Sequence, residues 1–223
     1  TGVGLFWTGS IINSMPVLLL GAATGHFSRN IKHSTALNIP YVIVPITYLV
    51  SLMHGLPSRC KFTAPSRTLW SPLSLLVLCG HCMAIVLHIW RAMVVLGCQL
   101  PATERWVTEV EPVLQMSEAS RTTSFGFIRL QALQYFFYFV PWHAWAAWED
   151  LFGYGPRSPL LSAWSMVAAG AYFQGQACWI GASVLRWTSP EDFELQELPM
   201  LFCAVNGGLL LHAVLVGAHY TRE

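Results

Sequence analysis

Polar residues are sparse and unevenly placed along the chain. Apolar stretches at about residues 3–25, 36–55, 69–96, 125–148, 160–185 and 198–218 are separated by short segments that hold nearly all the charge. A helix needs roughly 20 mostly apolar residues, at a rise of about 1.5 Å each, to cross hydrocarbon, and each stretch is near or above that length. Such runs are too long for barrel strands, and an open sheet would leave backbone groups unsatisfied in lipid. The pattern therefore predicts an all-α fold: a polytopic membrane helix bundle with six transmembrane helices in this chain. Pro16, Pro40, Pro45 and Pro141 fall inside the stretches and predict kinks rather than breaks.

Composition agrees with the pattern. Of 223 residues, 54% are hydrophobic and 10% charged, less than half of the roughly 25% charge that an ordinary soluble domain carries. A water-soluble globule is excluded. A net charge of +1 gives no electrostatic footprint for nucleic acid. The chain opens on Thr1 with neither a basic n-region nor a small-residue cleavage site, and is read as part of a longer protein. Its six cysteines are scattered, so no disulfide framework follows. The first two connections are basic (Arg29, Lys32; Arg59, Lys61, Arg67), while the third carries Glu104, Glu109, Glu111 and Glu118 and the fifth Glu191, Asp192, Glu194 and Glu197. Loop lysines and arginines divide evenly between the two sides, which leaves the orientation open. Trp70, Trp142, Trp145, Trp148 and Trp187 fall where stretches should meet the headgroups. Alternatively, Trp142, Trp145 and His143 line the mouth of a pocket, with flat rings for a sterol or acyl chain.

Polar residues within the stretches are the informative ones, because each is costly in lipid. Counted from the face with the acidic connections, His88 and Gln134 lie about nine residues in, Gln176 about nine, and Asn206 about eight. At about 1.5 Å per residue, this is one shared depth of roughly 12–14 Å, near the bilayer midplane. His81, His88 and Arg91 share one stripe at helical spacing, and Gln131, Gln134 and Tyr138 another; Gly170, Gln174 and Gly181 repeat on the fifth stretch. Arg91 and Arg129 sit about one turn below the face, within snorkelling range of headgroups. Such amides and imidazoles can be interhelical glue, worth about 0.6 kcal/mol each. As a set they point instead to an amphipathic cavity that holds a lipid with one polar group. The expected ligand-binding residues are His88, Arg91, Gln131, Gln134, Tyr138, Gln174, Gln176 and Asn206.

The C79-G-H-C82 stretch looks like a thiol oxidoreductase site, but it lies within an apolar stretch where burial would suppress thiolate formation. A membrane thiol oxidoreductase through Cys79 and Cys82 is thus a minor alternative. Cys79, His81 and Cys82 lack a fourth ligand at a convincing spacing, so neither a metal site nor a cofactor is expected.

The runs N38-I-P-Y-V-I-V-P, R91-A-M-V-V-L-G-C, E109-V-E-P-V-L, Y135-F-F-Y-F-V-P and F173-Q-G-Q-A-C-W-I-G-A-S-V-L-R-W-T-S-P resemble the C-terminal part of the transmembrane 6 superfamily, over about residues 4–218. That family carries two EXPERA modules, four-helix units shared with the emopamil-binding sterol isomerase. The resemblance implies a last helix of a preceding module at 1–27, a connecting helix and loops at 28–68, an EXPERA unit at 69–218 and a tail at 219–223. It also implies a protein of endoplasmic-reticulum or ER–Golgi intermediate membranes, alternatively lysosomal, that acts on triglyceride, cholesterol and lipoprotein handling. Its partners would be a sterol or neutral lipid and the bilayer. Sterol isomerisation needs an acid and a base across a dry pocket and a stabiliser for the carbocation. Arg91 and Gln131 or Gln134 stand near the positions where the isomerase has carboxylates, and no Asp or Glu lies within the six stretches. His81 and His88 are left as acid and base, so a lipid binder or regulator is the leading reading. The isomerase is second, and a purely structural scaffold is further behind.

Overall fold

The computed structural model describes residues 2–24, 31–59, 71–111, 114, 127–153, 159–189, 192–195 and 200–221. Each apolar stretch is helical over nearly all of its described residues: α1 (Gly2–Thr24), α2 (Ile31–Arg59), α3 (Pro72–Val95), α5 (Phe127–Gln134) running through a π-helical turn (Tyr135–Phe139) into α6 (Val140–Phe152), α7 (Pro159–Val184) and α8 (Met200–Thr221). A short helix, α4 (Pro101–Glu109), lies in the acidic connection after α3. Helices α1 and α2 continue through Pro16, Pro40 and Pro45, as expected of kinks rather than breaks.

Local chemistry sets the ends of α3. Ser71 caps it by accepting from the Ser74 amide at 3.1 Å, and Pro72 occupies the first turn, where a missing N–H costs nothing. At the other end Gly97 turns left-handed at φ 85°, with the Cys98 amide donating to Met93 O and the Gly97 amide to Val94 O, both at 2.9 Å. This is a Schellman stop, and only glycine takes that φ without strain. It folds the chain back so that α4 and the residues after it run beside the end of α3.

The bundle is apolar on its exterior as well as in much of its core, and it encloses polar side chains within that core. On α3, Leu76, Met83 and Val86 are 58–63% exposed, whereas His81, His88 and Arg91 on the same helix are fully buried. At its centre, α7 is buried on nearly every side from Leu161 to Tyr172. Ser162, Ala163, Ala168, Ala169, Gly170 and Ala171 supply that section, small residues that let neighbouring backbones approach. Helix α1 makes its most extensive contact with α7. A Cβ on Gly9 would strike the Val167 carbonyl, and one on Gly170 the Phe6 carbonyl, so the crossing is a reciprocal glycine contact. Gly181, grouped with Gly170 by spacing, faces open space. The core therefore runs continuously from the 1–27 segment into the 69–218 segment.

The fold is all-α as expected, with one short addition: β1 (Leu185–Ser189) and β2 (Asp192–Leu195) form an antiparallel hairpin between α7 and α8. Its register sets Arg186 opposite Glu194 and Trp187 opposite Phe193, and so short a hairpin is invisible to a search for apolar runs. Among the described residues, only Pro72–Val95 and Met200–Tyr220 are long and apolar enough to cross a membrane by length and composition, with Asn38–Leu52 a shorter apolar helix. Six transmembrane helices are thus not established. Helix α7 shows one reason: the small residues that suit a helix enclosed by helices are weakly hydrophobic.

Candidate functional site

The end of α3 holds the strongest electrostatic feature. Arg91 is fully buried and its Nε donates to both oxygens of Glu111 at 3.0 Å, while Nη2 ion-pairs with the same carboxylate and donates to Asn206 Oδ1 at 2.6 Å. Glu111, equally buried, also accepts from Trp106 Nε1 at 3.0 Å and from Asn206 Nδ2 at 3.2 Å. The guanidinium lies 4.6 Å from the Trp179 ring centroid, a cation–π contact that shields its remaining face. Burial by itself pushes the Glu111 carboxyl up, but the charge and hydrogen bonds of the Arg91 guanidinium, with those from Trp106 and Asn206, outweigh it and hold the group below the usual carboxylate range. Arg91 does not snorkel to headgroups as expected; the Gly97 turn brings it a counter-ion inside the bundle.

A second cluster lies deeper. His81 on α3, His143 on α6 and His212 on α8 converge, with His81 Nδ1 2.7 Å from His143 Nδ1 and 3.3 Å from His212 Nε2. Gly80 makes room for this, since a Cβ there would collide with the His212 ring. Trp142 packs edge-on against His81 and is 3% exposed, so it belongs to the interior and not to an interfacial belt; Trp145 and Trp148 are the outward rings. Trp70 and the Trp187 side chain lie outside what is described. His88 continues the line, 5.8 Å from His143 and 4.6 Å from Tyr135 between ring centroids.

The expected polar layer divides in two. His88, Arg91, Gln131, Gln176 and Asn206 are buried in the interior, and His81 lies there too. Gln134 and Gln174 instead turn to α1: Gln174 Oε1 accepts from Asn13 Nδ2 at 2.6 Å, and Gln134 Nε2 donates to Asn13 O at 3.5 Å. Tyr138 is half-buried beside Phe139 and Trp164. The π-helical turn is the cause. In a regular helix, positions four apart drift by about 40° per step; one extra residue in a turn offsets the drift, so Gln131, Tyr135, Phe139 and His143 all face inward. Pro141, which has no N–H to give to the Phe137 carbonyl, falls just after this turn, where the widened ladder accommodates it.

Around Tyr135 the polar atoms outnumber their protein partners. Among the described residues, both ring nitrogens of His88, both amide atoms of Gln176, Gln131 Nε2 and the hydroxyls of Tyr135 and Tyr172 are buried without a hydrogen bond. Gly175 packs so closely against Tyr135 Oη and Gln131 Nε2 that a Cβ there would collide with the hydroxyl. Glu111, His143, His212 and Asn13 were not foreseen in these roles. The one sequence signal for Glu111 was that Arg91, a turn inside an apolar stretch, required an anion.

An apolar exterior around charged and polar side chains at its centre defines an integral membrane protein of the helical type. A family profile described as "Transmembrane 6 superfamily member 2-like, transmembrane domain" matches residues 1–62. Transmembrane 6 superfamily member 2 of Rattus norvegicus is 29% identical over 202 residues, covering 85% of this chain and 51% of that protein. The Homo sapiens protein of the same name is 29% identical over 201 residues, covering 85% and 51%. The chain is similar to these members of the transmembrane 6 superfamily and spans about half the length of the relatives it matches. No solved structure matches it.

Proposed function

We propose that all six long helices span the bilayer and that the interior binds a sterol or other neutral lipid through one polar group, making the protein a binder or regulator in lipid handling within endoplasmic-reticulum or related membranes. The 69–218 segment is read as an EXPERA-type unit. The observation that carries this is the set of unpartnered polar atoms on His88, Gln131, Tyr135, Tyr172 and Gln176. Buried donors and acceptors each cost about 1–3 kcal/mol when unmet, and a hydroxyl or ester on an apolar body can meet several at once.

The isomerase reading is less well supported. Among the described residues Glu111 is a fully buried carboxylate, and its lone pairs are engaged by Arg91, Trp106 and Asn206, which makes it a poor base. A thiol reaction is disfavoured too, since Cys79 and Cys82 lie exposed on the outer side of α3 while His81 between them faces inward.

Gln176→Leu and His88→Leu exchange a polar side chain for an apolar one of similar size. Each is expected to lower the lipid copurifying in mild detergent about tenfold, equivalent to about 1.4 kcal/mol, with unaltered elution and helicity. Lipid mass spectrometry checks this; full retention in both variants sinks the reading. Conversion of a sterol by the wild-type chain to a double-bond isomer would restore the enzyme in its place.

A further inference from the structure

We propose that His81, His143 and His212 form a binding site for a divalent d-block cation of the zinc type, held inside the bundle by three helices. Their nitrogen ligand atoms all lie within 4.8 Å of one another, and the three side chains are 0%, 0% and 4% exposed. Hydrogen bonding accounts poorly for the arrangement. Both His143 Nδ1 and His212 Nε2 approach the same atom, His81 Nδ1. A ring nitrogen carries either one proton or one in-plane lone pair, so it serves one of these contacts and not both. A cation between the rings serves all three.

Two of the three edges lie near the required dimensions, and the His143–His212 edge, within 4.8 Å, closes as the rings turn toward the ion. Zinc–imidazole bonds of about 2.0–2.1 Å at tetrahedral angles put neighbouring nitrogens about 3.3–3.4 Å apart. The His212–His81 separation of 3.3 Å already has this value, and the His81–His143 pair at 2.7 Å reaches it by opening about 0.6 Å. Imidazole suits zinc, copper and nickel, whereas magnesium and calcium prefer oxygen ligands. Three neutral imidazoles leave the full charge of the ion in a low-dielectric interior, so the fourth ligand should be anionic, with hydroxide the simplest candidate. The site uses no residue of the polar cluster assigned to lipid other than through ring contacts of His143 with His88 and Tyr172. It therefore stands or falls separately from the lipid reading.

The test uses the untagged full chain in detergent, stripped with chelator, then dialysed against zinc or cobalt(II) and analysed for bound metal. One equivalent per chain is expected. Cobalt should give the intense visible bands of four-coordination, shifted by azide if the fourth position exchanges. His81→Asn, His143→Asn and His212→Gln should each reduce bound metal to below about a tenth of an equivalent, while Cys79→Ser/Cys82→Ser retains it. Should a histidine variant fail to fold, X-ray absorption of the zinc-loaded wild type decides, with three nitrogen ligands and no sulfur expected. Uptake below about a tenth of an equivalent by the wild type, a sulfur-containing shell, or full retention by all three histidine variants overturns the site.

Discussion

Glu111→Leu is expected to destabilise the bundle by about 3–5 kcal/mol, the usual result of leaving one member of a buried ion pair without its partner. Arg91 would keep its charge in the interior with Asn206 Oδ1 and the Trp179 ring as its remaining contacts. Arg91→Met should cost a similar amount. The double variant Arg91→Met/Glu111→Leu should regain most of the loss, because two apolar side chains of comparable volume remove the unpaired charge altogether. Thermal unfolding in detergent, followed by helicity, measures all three. A double variant as unstable as the sum of the singles would show that the pair does not couple. The pH dependence has a defined sign. The folded carboxyl is held below its unfolded value, so its contribution is complete above the ordinary carboxylate pKa and disappears as pH falls through the lowered folded value.

The second large effect is expected at the α1–α7 crossing. Gly9→Leu or Gly170→Leu places a side chain where the structure has a facing backbone carbonyl, Val167 O in one case and Phe6 O in the other. Backbone cannot rotate aside as a flexible side chain can, so each substitution should cost about 3 kcal/mol or more and separate the helices locally. Gly181→Leu, on the same helix and facing open space, is the control and should be near neutral. A cysteine pair placed across the crossing reports the separation as lost crosslinking. Equal crosslinking in Gly9→Leu and wild type would mean that the interface is looser than its glycines imply.

These two effects rest on residues of very different legibility. Gly170 could be singled out by spacing with Gln174 and Gly181, yet nothing in the chain distinguished it from Gly181, because the difference is the presence of α1. Arg91 was conspicuous as a charge in an apolar stretch, but its partner lies 20 residues away beyond a Schellman turn and a short helix. The stripe Gln131, Gln134 and Tyr138 failed for a local reason: the π-helical turn ahead of Pro141 changes the helical phase in the middle of the pattern. The histidine cluster combines residues 62 and 131 positions apart, from helices whose neighbours no periodicity reveals.

The amino-acid sequence by itself determined that this chain is a membrane helix bundle, where its long helices lie, and that α3 turns polar side chains in one direction. Those properties follow from hydrophobicity and from 3.6 residues per turn, which act over a few neighbours and can be read from the chain alone. The tertiary structure decided which polar side chains meet, since a hydrogen bond or an ion pair is set by the rotation and crossing of whole helices. It buried Glu111 against Arg91, sent Gln134 and Gln174 to Asn13, and gathered three imidazoles around one point.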